Sequence, residues 1–147
     1  MQLAQLNIAK AKYPLDSPEI KEFIANLDRV NGIAEQSKGF IWRLKDESPD
    51  TTDIQLFDDP RIIVNMSVWQ SIESLKGFMF KTLHRDFMRR KSEWFERIDN
   101  NLVLWWVEDG HTPTQVEALE RLRYLSRHGA SRYAFTFKQS FEAVAAK

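Results

Sequence analysis

The chain contains no cysteine, which excludes disulfides, thiolate nucleophiles, iron–sulfur clusters and Cys-type zinc sites, and removes any need for an oxidising compartment. It has little glycine, five residues in 147, and no Gly-x-Ser-x-Gly, phosphate loop or dinucleotide fingerprint, which counts against hydrolase, nucleoside-triphosphatase and Rossmann readings. Long apolar runs are missing too. The longest, Leu102 to Val107, is far short of the roughly 20 residues that span a bilayer, so no membrane association is expected. No basic leader followed by an apolar stretch opens the chain, and the expected location is the cytoplasm. Net charge is also absent: 21 Lys and Arg balance 21 Asp and Glu, so nothing global draws the protein to nucleic acid. The three histidines, His84, His111 and His128, have no short ligand spacing, and no metal site is expected.

What is present is a globular balance, 43% hydrophobic and 29% charged residues, with a heavy aromatic load of ten Phe, five Trp and three Tyr. One domain over residues 1–147 is the economical reading. No internal repeat or low-complexity segment divides it.

Apolar and polar residues alternate from Gln2 to Lys10, the period of a strand. Ser17-Pro18-Glu19 reads as a cap, a first-turn proline and an acidic first turn. Ile20, Phe23, Ile24, Leu27 and Val30 then stripe a helix that Asn31-Gly32 should stop. Phe40 to Leu44 is a second strand. The polar stretch from Lys45 to Pro60 holds six acidic residues between Asp46 and Asp59 and reads as a solvated loop or a mobile flap. Arg61 to Trp69 is a third strand, Ser71 caps a second helix reaching about Ile98, and Leu102 to Val107 is a fourth strand. Thr112-Pro113-Thr114-Gln115 has the spacing of a capping box, opening a third helix supported through Val116, Leu119, Leu122 and Leu125. Ala134 to Phe137 closes the series as a short strand.

This order is βαββαβ with an added αβ, an α+β, ferredoxin-like arrangement with an antiparallel sheet. The third and fourth strands are apolar on both faces, whereas a sheet wetted on one side should alternate apolar with polar. Two helices cover one face. A second subunit's sheet is the economical cover for the other, which predicts a homodimer; the third helix is the competing cover.

The element order, with Val68-Trp69-Gln70-Ser71 leading into a helix that carries a His in its middle, resembles the dimeric α/β-barrel superfamily, which includes antibiotic-biosynthesis monooxygenases and haem-degrading monooxygenases. Leu102-Val103-Leu104-Trp105-Trp106-Val107, Gly110-His111-Thr112-Pro113 and Ala134-Phe135-Thr136-Phe137 are more similar to a bacterial family of unknown function within that group. The resemblance implies cofactor-independent oxidation of an aromatic compound, with His84 as proton acceptor and Asn7 as a polar positioning group; an apolar pocket with few polar groups would take a small hydrophobic or aromatic molecule with an anionic or polar end. The alternatives are haem held by His84 as axial ligand, and a non-enzymatic binding or structural module. The haem-degrading branch has an Asn, a Trp and a His where this sequence has Asn7, Phe78 and His84, so the Trp position is altered.

On a helical wheel of about 100° per residue, His84 falls inside an apolar arc with Phe80 and Phe87, while Arg85 and Arg89 lie opposite. His84 reads either as a core histidine bonded to a carbonyl or as a pocket residue. Arg90 also falls inside the arc, where a guanidinium needs an anion: an Asp or Glu of this chain, or a substrate carboxylate. The expected pocket is lined by Arg43, Phe78, Phe80, Phe87, Arg90 and Trp105. Trp105 and Trp106, adjacent on a strand, must face opposite ways. Arg121, Arg123, Arg127, His128 and Arg132 form a basic patch, read with Glu117 and Glu120 as a solvated helix face and not as a nucleic-acid surface.

Overall fold

A computed structural model describes residues 1–14, 17–44, 62–80, 94–96 and 101–143, with residues 23–30 described by their backbone alone. The elements in chain order are β1 (Gln2–Ala11), α1 (Lys21–Gln36), β2 (Phe40–Arg43), β3 (Ile62–Trp69), α2 (Ile72–Met79), β4 (Phe95–Glu96), β5 (Leu102–Val107) and α3 (Gln115–His128). A single 3-10 turn, Pro18–Ile20, leads into α1. The sheet is antiparallel in every described pairing, with order β2-β3-β1, and β1 meets β5 and β4 on its far edge. This is the α+β, ferredoxin-like arrangement read from the sequence. β1 is its spine. Leu3 pairs with Trp69 on one side and Trp106 on the other, and Asn7 pairs with Asn65 and Leu102.

Alternation along these strands sorts the side chains onto two faces. Ala4, Leu6, Met66, Val68, Val103, Trp105 and Val107 form one buried face with Ala118, Leu122 and Leu125 of α3. Leu3, Trp69 and Leu104 form the other with Ala34 of α1, Ile72 and Leu75 of α2, and Phe135. The competing cover therefore lies on the face that the homodimer expectation left bare. Trp42, Leu44, Ile62 and Val64, on the β2–β3 side of that α3 face, are only half-buried.

Several boundaries differ from expectation for local reasons. Asn31-Gly32 does not stop α1, which runs four residues further to Gln36; buried Ala34 holds the last turn on the sheet, and the Ser37 hydroxyl donates to the Ile33 carbonyl at 2.7 Å. Ser17 makes no side-chain cap bond. Ser71 does cap α2, accepting from the Ser74 amide at 3.1 Å. Helix does not persist to Ile98: Phe95 and Glu96 are strand, pairing with Ala11 and Lys10. Phe95 is buried with Ala11, Ile20 and Trp94, and Lys10 meets Glu96 at 3.5 Å. The α3 cap is Thr114 and not Thr112, since the Thr114 hydroxyl accepts from the Glu117 amide at 3.1 Å. Val116 is 63% exposed, and Ala118 takes its expected place in the core. The final strand contracts to one antiparallel bridge, in which Phe135 and Leu104 exchange bonds of 2.9 and 2.8 Å.

Candidate functional site on the helix-covered sheet face

The face under α1 and α2 changes character along the strands. At one end Phe40, Leu3, Trp69 and Trp106 share one row. Trp69 stacks on Phe78 of α2 at 5.3 Å and meets Phe40 edge-on at 5.4 Å. The next two rows of the same face are polar. Arg43, Ser67 and Gln5 stand side by side ahead of Leu104, and Asn65 and Asn7 stand beside each other ahead of Leu102.

Gln5 and Ser67 are 5% and 6% exposed, so their polar atoms need partners. They find them in one another. Gln5 Nε2 lies 2.8 Å from Asn65 Oδ1 and 2.8 Å from Ser67 Oγ, and Trp69 Nε1 donates to Ser67 Oγ at 2.8 Å. Asn65 is exposed: it pairs with Asn7 of β1 but lies two residues beyond Ser67, where the pairing of β3 with β2 ends. Asn7 is half-buried and makes no side-chain hydrogen bond among the described residues. Arg43 donates through Nε to Glu35 of α1 at 2.7 Å, which engages its charge with a carboxylate of the same chain.

The expected site residues are thus divided. Asn7 and Arg43 lie on the sheet face against which Phe78 packs, with the row of Gln5 and Ser67 between Asn7 and the aromatic end. Trp105 does not join them: it points to the α3 face, is fully buried, and donates through Nε1 to Glu117 at 2.9 Å. Trp106 is the tryptophan on the site's face, its Nε1 bonded to the Phe141 carbonyl at 2.7 Å. Phe80 is 63% exposed at the end of α2. His84, Phe87 and Arg90 lie outside the described residues. The Gln5–Asn65–Ser67 network was absent from the expected site. Its signal is polar residues of matching parity on β1 and β3, visible once the two strands are set in register.

No group of three or more His, Asp or Glu that could hold a metal occurs among the described residues, and no described helix is long and apolar enough to cross a membrane. Neither described histidine belongs to the polar face. His111 bonds Glu117 Oε1 at 2.8 Å, and the His128 ring packs tilted against Tyr124, with centroids 4.4 Å apart. In the basic patch, Arg121 lies 3.7 Å above the Tyr133 ring and donates to the Tyr133 carbonyl at 2.9 Å.

Glu117 is the most constrained carboxylate of this region. Burial pushes its carboxyl up, but hydrogen bonds from His111 and Trp105, with the charges of His111 and Arg121, outweigh burial and hold it below the usual carboxylate value. A group depressed on folding contributes stability that is complete above its unfolded pKa and drains as pH falls through the folded one. Glu117→Gln should therefore lower Tm at about pH 7, and the gap from the parent should close at about pH 3. Paired thermal melts check this; an equal gap at both pH values would mean that the ionised form is not what matters.

The chain has a ferredoxin-like fold, which it shares with several solved structures. A structure from Chloroflexus aurantiacus assigned to the antibiotic biosynthesis monooxygenases aligns with TM-score 0.50 and 17% identity over 76% of this chain and 98% of that one. Rv0793 from Mycobacterium tuberculosis aligns with TM-score 0.56 and 12% identity, over 76% of this chain and all of its own. A conserved protein from Methanosarcina mazei gives 0.54 and 12%, over 74% and 94%. Within that class the chain belongs to DUF3291, a domain family of unknown function, whose model matches residues 2–147. No curated protein matches the sequence.

Proposed function

We propose that this protein binds a small, flat, largely apolar molecule against the sheet face beneath α1 and α2, with its aromatic body near Trp69 and Phe78 and its polar edge on Gln5, Asn7, Asn65 and Ser67. The observation that carries this reading is the nearly buried, mutually bonded Gln5 and Ser67 on the sheet face whose neighbouring row is the aromatic one. A face serving only as core would be apolar there, whereas concave sites combine apolar walls with a few placed polar groups. The reaction proposed for the site is monooxygenase-like, cofactor-independent oxidation of an electron-rich aromatic compound: a ring CH2 becomes C=O, the substrate supplies all four electrons to dioxygen, and the second oxygen atom leaves as water. Asn7 positions the substrate and His84 takes the proton. Likeness in fold to the Chloroflexus protein supports the reaction class, and fold alone does not determine chemistry. The haem alternative has no support from the polar face, whose described groups are amides, a hydroxyl and the Arg43 guanidinium engaged by Glu35.

Titration with the neutral dye 1-aminoanthracene tests the reading. Saturable binding at one site per chain is expected, weakened roughly tenfold in Asn65→Leu by the loss of about one hydrogen bond's worth of free energy. A protein that takes up no dye, or binds it equally well after the substitution, would remove the site. The homodimer carried in this reading would close over the half-buried Trp42, Leu44, Ile62 and Val64. Light scattering on the same samples decides it, between 17.3 kDa and twice that mass.

A further inference from the structure

Hydrogen-bond logic at the polar rows says more than that they are polar, and the inference rests on the binding site proposed above. An indole N–H can only donate, so Trp69 fixes Ser67 Oγ as an acceptor for one of its two bonds. The remaining contacts, Gln5 to Ser67 and Gln5 to Asn65, are satisfied in two ways. In the first, Gln5 Nε2 donates to both neighbours, which leaves Gln5 Oε1 as a free acceptor and Asn65 Nδ2 and the Ser67 hydroxyl proton as free donors. In the second, both amides are turned over: the Ser67 hydroxyl and Asn65 Nδ2 donate to Gln5 Oε1, leaving Gln5 Nε2 as a free donor and Asn65 Oδ1 as a free acceptor. The two arrangements use the same three short contacts and the same side-chain positions. Among the described residues, the cation in these rows, Arg43, is engaged by Glu35, and no carboxylate belongs to the network.

We infer that this reversible amide pair makes the site specific for uncharged ligands bearing a carbonyl or a hydroxyl at one edge, and lets it hold a ketone and the corresponding alcohol equally well. A ketone takes the arrangement that aims a donor at it, and an alcohol takes the one that aims an acceptor. Turning two amides costs no lost contact in either case. A carboxylate gains less, because among the described residues the one guanidinium in these rows is already committed to Glu35 and the acid's desolvation goes uncompensated. The protein therefore discriminates by charge and shape and is indifferent to whether the edge is oxidised or reduced.

Three probes with one ring system test this: 2-acetylnaphthalene, 1-(2-naphthyl)ethanol and 2-naphthoate, each displacing 1-aminoanthracene from the full chain at neutral pH. The ketone and alcohol should bind within about threefold of each other, and the acid at least tenfold more weakly. Gln5→Glu replaces the reversible amide by an acceptor-only carboxylate and should weaken the ketone at least tenfold relative to the alcohol. Since a nearly buried carboxylate can unsettle the fold, Asn65→Asp, at an exposed position, serves as the second variant: its acceptor-only carboxylate fixes Gln5 as the donor and should disturb the parity of ketone and alcohol while 1-aminoanthracene still binds. Absence of dye binding by the parent protein defeats the site itself. Dye binding with the acid preferred, or with a ketone-to-alcohol ratio beyond tenfold in the parent, defeats this inference and leaves the site standing.

Discussion

Leu122→Asp is expected to undo the attachment of α3 to the sheet. Leu122 is 7% exposed among Leu6, Val103 and Trp105 on that face. Removing its side chain forfeits about 2–5 kcal/mol, and an unpaired carboxylate at the same point adds a further penalty of several kcal/mol. Against a total stability of about 5–15 kcal/mol, the variant should lose its cooperative melt or melt at least ~10 °C lower. Light scattering should show self-association, because the freed sheet face is continuous and apolar. Val116→Asp is the matched control. Val116 is 63% exposed on the same helix, so its Tm should stay within about 2 °C of the parent. A Leu122→Asp protein that melts like the parent would mean that α3 is not the cover of this face.

Gly39→Ala should produce the second large loss. Gly39 turns the chain from α1 into β2 at φ 88°, where an L side chain is strained by about 1–2 kcal/mol. A Cβ there would also collide with the Ser74 hydroxyl and Cβ, and the Gly39 carbonyl accepts from the Gln70 amide at 2.8 Å, so the turn cannot retreat without breaking that bond. Strain and overpacking together amount to about 2–4 kcal/mol, a drop in Tm of roughly 5–15 °C. Gly110→Ala isolates the strain: Gly110 has φ 85° and open space where the Cβ would stand. Equal losses at the two positions would show that the contact with Ser74 contributes nothing.

The strands were legible because their signal is local. Ala4, Leu6 and Ile8 announce β1 by alternation alone, and Leu102 to Val107 is apolar on both sides because both faces of the sheet are covered. Gly32 misled because a glycine within a helical stripe is read as a stop, whereas the contact that decides, Ala34 against the sheet, is made with residues distant in sequence. The cap of α3 was placed two residues early for a similar reason. Thr112 and Thr114 both offer a hydroxyl, and the choice is made by Glu117, whose carboxylate reaches Trp105 and His111. Alternation required Trp105 and Trp106 to diverge without saying which would face the site; the position of α3 settles that. The polar rows were least legible of all. Gln5, Asn65 and Ser67 each look like a solvent-facing residue of a half-buried strand, and only the pairing of β1 with β3 brings them within hydrogen-bonding distance.

The position of β1 also governs how the chain can acquire its structure. Its partners on one edge are residues 62–69 and on the other residues 95–96 and 102–107, so almost none of its pairing is local. Contacts of such long sequence separation are slow to form, because the loop entropy must be overcome before they contribute. Of the described strands of this sheet β1 is made before the others, and its second edge stays unpaired until β4 and β5 follow. Until then an apolar strand with open hydrogen-bonding groups is exposed to other chains. The spine of the finished sheet is the liability of the nascent one.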